Sequence, residues 1–294
     1  MALQLQGNLK KLSHQLNDNQ VEYYFRVVEK YKSADQEEIR QELPFNQFLG
    51  SKISLDFLGD INCVACARAV KKSFNNGYCF PCLSKLAECD ICIVKPELCH
   101  YDKGTCRDND FATEHCNINH SLYLSLTSGL KIGVTRQYQE KSRWIDQGAV
   151  KAIRLLTLKR RYHAGLIEAK LAKQMADKTN WRKMLTNQID EVDLLESRNK
   201  VLELIKTDIK ANSFSEDLNY IFEEEAILEN NLNQVQEISY PVKETPTKIS
   251  SFNLDKDPHV EGVLLGIKGQ YLIFDTGVIN IRKYAGCKIK LQLE

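Results

Sequence analysis

Apolar and polar residues alternate over Gln20–Val28 (QVEYYFRVV) and Lys52–Leu58 (KISLDFL), in runs rich in β-branched and aromatic side chains. A period of two with these residue types predicts strands, so residues 1–60 read as an N-terminal β segment. Ser121–Leu126 and Lys131–Thr135 predict two further short strands, joined as a hairpin by Thr127-Ser128-Gly129. The period then lengthens. Ala164, Ile167, Leu171 and Met175 recur three and four residues apart, which lays an apolar stripe on one helix face. Ile189, Val192, Leu195, Leu202, Ile205 and Ile209 continue the helical period into an acidic helical segment at 188–238. Ser239–Pro258 holds three of the six prolines and reads as a linker. Four glycine-broken β-runs fill 259–294 and predict a small β-barrel or meander, which N-terminal strands would complete because chain ends often meet. The fold class is α+β.

With 294 residues, 27% charged and 43% hydrophobic, the chain fits about two folded domains of ~150 residues each. No apolar run approaches the ~18 residues of a membrane span. MALQLQGNLKKLSHQLNDNQ has no apolar leader core, so the expectation is a cytoplasmic protein. The net charge of +1 conceals a strong asymmetry. Lys131–Met184 carries 14 Lys/Arg against 4 Asp/Glu, and Leu185–Tyr240 carries 4 against 13. The basic half suits a polyanion and the acidic half a protein partner.

Nine of the ten cysteines fall between Cys63 and Cys116. Cys63-x2-Cys66, twelve residues and Cys79-x2-Cys82 have the spacing of a zinc ribbon, two turns closing one tetrahedron. Soft thiolates favour zinc first and an iron–sulfur cluster second. A disulfide framework suits small secreted domains, which this chain does not resemble. The module spans 61–120 and offers a second set in Cys89, Cys92, Cys99, His100, Cys106, His115, Cys116 and His120. Cys89 and Cys92 with Cys106 and Cys116, and Cys99 next in line, predict a second structural zinc. The three histidines read as core or turn residues, and Cys287 as a small buried apolar one.

The stretch from Leu122-Tyr123-Leu124 through Lys131-Ile132-Gly133 to Arg143 and a helical Glu168 resembles the GIY-YIG nuclease core over Ser121–Asn187. Asn180 or Asn187 corresponds to a polar residue that sometimes follows. The resemblance implies a role for Tyr123 in activating water, for Arg143 in holding the scissile phosphate, and for Glu168 in binding magnesium or manganese. The residue chemistry agrees, since arginine forks two donors onto phosphate and magnesium takes one or two carboxylates. Lys131 stands where a tyrosine is usual, a change the fold tolerates more easily than the activity. Lys131, Arg136, Arg160 and Arg161 are candidate phosphate contacts, and Trp144 a candidate base-stacking ring. Lys268, Gln270, Tyr271, Asn280 and Arg282 would line a barrel face for single strands.

A broader resemblance covers nearly the whole chain. C-D-I-C-I-V-K-P-E-L-C-H, G-T-C-R, R-W-I-D-Q-G-A, G-I-K-G-Q-Y-L-I-F and N-I-R-K-Y-A-G are similar to an uncharacterised bacterial family catalogued as a domain of unknown function. The leading expectation is a metal-dependent nuclease with structural zinc, acting on DNA or RNA. The alternatives are a non-catalytic zinc-containing nucleic-acid-binding module, and a protein–protein adaptor working through the acidic helices.

Overall fold

The computed structural model describes residues 3–31, 38–175, 178–210 and 234–294, with side chains to 208 in the third stretch. The chain opens with β1 (Leu3–Leu9), β2 (Ser13–Asn17), β3 (Gln20–Lys30), β4 (Ile39–Pro44) and β5 (Lys52–Asn62). The alternation that predicts β3 is the alternation of its burial: Val21, Tyr23, Phe25 and Val27 point inward. A two-residue strand, β6 (Ala69–Val70), returns along β5, and a short helix, α1 (Phe80–Lys85), follows.

The middle of the chain forms its own compact unit, Leu86–Ile238. It begins with four 3-10 turns and α2 (Asn109–His115), which carry the later cysteines. Then come β7 (His120–Leu126), β8 (Leu130–Arg136), α3 (Glu140–Asp146), β9 (Lys151–Leu158), α4 (Arg161–Leu171), α5 (Trp181–Leu185), α6 (Leu194–Lys210) and β10 (Gln236–Glu237). The strands make an antiparallel sheet in the order β10-β9-β7-β8. Leu122, Leu124 and Ile132 of the sheet share a core with Ala164, Ile167 and Leu171 of α4 and Leu194, Val201 and Ile205 of α6. Ile189 and Val192, expected in a helix, precede α6 in irregular chain, and Met175 lies beyond the end of α4. Of the acidic segment, 211–233 lies outside the described residues.

After Ser239 the chain rejoins the first unit, Met1–Lys85 with Ser239–Glu294. Residues 240–258 have no named strand, yet backbone bonds pin them: Ile267 donates to the Pro241 carbonyl and Phe252 to that of Val278. β11 (His259–Lys268), β12 (Tyr271–Phe274), β13 (Val278–Asn280) and β14 (Cys287–Leu293) follow. Every strand pair is antiparallel, in the order β13-β12-β11-β5-β14-β1-β3-β2, with β4 on β3 and β6 on β5. N-terminal strands do share the C-terminal sheet. Among the described residues no pairing joins β13 to β2, so the sheet is open rather than a closed barrel. Bulges between Leu264 and Gly266 and between Cys287 and Ile289 bend it. No helix among the described residues is long and apolar enough to cross a membrane.

Candidate functional site

β5 delivers Cys63 to a tight turn. Ala67, with φ +60°, lets its amide return to the Cys63 carbonyl at 2.9 Å and brings Cys66 beside Cys63. The second turn ends in α1, which supplies Cys82 after Cys79. Ligand atoms of Cys63, Cys66, Cys79 and Cys82 all lie within 4.8 Å of one another. The Cys66 and Cys79 sulfurs are 3.7 Å apart, too far for a disulfide. A zinc tetrahedron with bonds of ~2.3 Å has edges of ~3.8 Å, so the donor set and spacing fit a metal ion of that kind. Cys63 is fully buried, and burial opposes its ionisation. Amide donors from Cys66, Cys79 and Ala65 outweigh that and hold its pKa down at about 6, while burial and the neighbouring thiols push Cys82 up.

In the second unit, Cys92, Cys99, Cys106 and Cys116 line a cavity of about 20 Å³ together with Asp90 and His100. Cys89 is not among its lining residues, which departs from the expected Cys89–Cys92 pair. Asp90 is held by Arg107 at 2.7 Å and by His100 at 3.4 Å. His115 stacks edge-on against Phe111, and His120 is fully buried at the start of β7 with its Nδ1 on the Ile118 carbonyl.

The third cluster sits on the sheet of the same unit. Tyr123 is fully buried on β7, directly opposite Gly133 of β8. A Cβ at Gly133 would lie 2.5 Å from the Tyr123 hydroxyl oxygen, so the glycine of K-I-G is the space the tyrosine ring occupies. A bulge against β9 falls between Leu122 and Tyr123 and re-aims the side chain. The hydroxyl donates to Gln147 Oε1 at 3.2 Å, and the Arg143 side chain lies near enough to act on it electrostatically. Burial raises the phenol's pKa; Arg143 opposes this, and the nearby charge of Glu168 adds to it. Tyr123 therefore keeps its proton at neutral pH. Arg143, Gln147 and Glu168 are half-buried and mark the solvent side of the cluster. α3 is fixed by a bidentate pair from Arg154 on β9 to Glu140, at 2.5 and 2.6 Å.

A family model described as "Protein of unknown function (DUF2797)" matches residues 50–289. The chain belongs to the DUF2797 family. Comparison with curated proteins and with solved structures gives no match.

In this DUF2797 protein the other expected contacts serve the interior. Trp144 is 5% exposed and packs edge-on against Tyr123, so it is a core ring rather than a base platform. Lys131 is also 5% exposed. Arg136 donates to the His115 carbonyl, Arg161 to that of Ile93, and Arg160 to Asn117 and Asp102, so all three grip the cysteine-rich segment. Asn180 caps α5 through the Lys183 amide, and Asn187 adopts a left-handed turn. Lys268 and Gln270 are buried, the latter paired with both backbone groups of Leu12, whereas Tyr271 and Arg282 are half-buried and Asn280 caps a turn at Lys283. Cys287 is buried as expected. Gln147 escapes a motif-based reading; its spacing four residues after Arg143 on a helix is the signal that places both toward one point.

Proposed function

We propose that this DUF2797 protein is a nucleic-acid-directed, divalent-metal-dependent phosphodiesterase on a GIY-YIG-like core, with zinc in the Cys63, Cys66, Cys79 and Cys82 quartet. The observation that supports it is the Tyr123 hydroxyl, bonded to Gln147 and within electrostatic reach of both Arg143 and Glu168. Tyr123, Arg143 and Glu168 are far apart in sequence, and their order is that of the nuclease motifs. Arg143 has the fork needed to hold a phosphate and to stabilise charge that grows on it. Tyr123 retains its proton, so its role is to donate to Gln147 while its lone pairs orient an attacking water. Glu168 is the carboxylate for magnesium or manganese, which when bound neutralises charge on the phosphate oxygens.

A second reading, binding without cleavage, is favoured by the complete burial of Tyr123 and by Lys131 in the second motif. It has its own surface: Lys71, Lys72 and Lys283 line a cavity of about 470 Å³ in the first unit. Glu168→Gln separates the two readings. Assayed on a panel of single- and double-stranded DNA and RNA with magnesium or manganese, it should lose cleavage at least a hundredfold and bind as wild type does. Wild type that binds but never cuts would leave the binding reading in place.

A further inference from the structure

We propose that the second unit binds a zinc ion of its own on Cys92, Cys99, Cys106 and Cys116, and that this ion braces the helix carrying Glu168. The four thiols surround one cavity of about 20 Å³, room for a single water-sized sphere. Among the described residues no three of these sulfurs lie within 4.8 Å of one another, so binding the ion would draw them into its tetrahedron.

The segment that carries them needs such a centre. It consists of short 3-10 turns and the seven-residue α2, and it leaves Ile91, Val94 and Leu98 at 54%, 76% and 48% exposure. Chain this short of buried apolar surface is held by metals or cross-links, and no disulfide joins its cysteines. Charge points the same way. A zinc tetrathiolate carries a net charge of about −2 from four thiolates on one divalent ion. The guanidinium groups of Arg161 and Arg136 act on Cys116, and Arg161 Nε is buried with no hydrogen-bond acceptor.

Asp90, Cys92 and His100 form the tighter triple, within 4.8 Å of one another. Both Asp90 oxygens are already used, by the Cys92 amide at 3.4 Å and by Arg107 at 2.7 Å. Asp90 and His100 therefore support the loop from outside the ion. Beyond the ion, the turn Pro96–Leu98 lies so close to α4 that a Cβ on Gly165 would collide with Pro96, and Arg161 reaches the Ile93 carbonyl. The proposed centre thus fixes the helix on which Glu168 stands, whatever Glu168 does.

The test is metal content of the full chain. Wild type should hold two zincs, and a Cys66→Ser/Cys82→Ser variant one. Cys99→Ser and Cys106→Ser should each lose one, while Cys89→Ser keeps both. Should the serine variants fail to fold, cobalt-loaded wild type still decides: sulfur-to-cobalt charge-transfer intensity should correspond to four thiolates for each of two ions. One zinc in wild type, no zinc in Cys66→Ser/Cys82→Ser, loss of zinc from Cys89→Ser, two retained by Cys99→Ser, or a second cobalt with fewer than four thiolates would each overturn the assignment.

Discussion

His120 begins β7 fully buried, with one ring nitrogen on the Ile118 carbonyl at 2.8 Å and the other, Nε2, meeting no partner. Burial drives its pKa down from 6.5 to about 4, with Arg161 and Arg136 adding to the effect. Because the folded value is the lower one, the unfolded chain takes up the proton first as pH falls. Stability is complete above about pH 6.5 and declines toward pH 4, by roughly 3 kcal/mol over that window at ~1.4 kcal/mol per unit. Urea midpoints of wild type and His120→Gln, taken from pH 7 to 4.5, should converge as the wild type loses this contribution. Parallel pH profiles would mean that His120 is not held neutral. The same economy of space governs Tyr123, which has its full ring only because Gly133 opposite has no side chain.

At the scale of elements, α4 and α6 show what a sequence pattern can and cannot convey. The spacing of Ala164, Ile167 and Leu171 identifies α4 because each is apolar and buried. In α6 the buried line runs Leu194, Arg198, Val201 and Ile205, and a charge stands where the eye seeks an apolar residue. Arg198 fits because its Nε donates to the Arg154 carbonyl. A pattern that starts from Ile189 and Val192 misses that register, and Leu195 is on the exposed side. Strands with one buried face, such as β3, were legible from alternation, but period two says nothing about which strand lies alongside. The quartet was legible because its spacing is local; the later cysteines were not, since irregular turns set which sulfurs share a cavity. Gly165 carries an element-scale prediction. In a free helix, Gly→Ala gains about 1 kcal/mol. Here the methyl would force α4 off Pro96, and overpacking of ~1–3 kcal/mol should win. Gly165→Ala should lower the urea midpoint, and a raised midpoint would show that the contact yields.

On the scale of the whole molecule, the chain leaves one compact unit at Lys85 and returns to it at Ser239. Unit Leu86–Ile238 is an insertion, with its own sheet and its own core. Removing 239–294 should therefore unfold residues 1–85 and leave 86–238 folded, as read by hydrogen exchange along the chain. Protection surviving in β1 and β5 would contradict this. The position of β14 carries the point further. β14, made after every other strand of this sheet, lies between β5 and β1 and pairs along both. During synthesis β1 and β5 have no such neighbour until residues 287–293 have been made, and exposed strand edges recruit other chains. Translation of the insertion fills that interval with a unit able to fold first, so the time-critical event for the first unit is the synthesis of β14. Truncation before residue 287 removes the strand that joins β5 to β1.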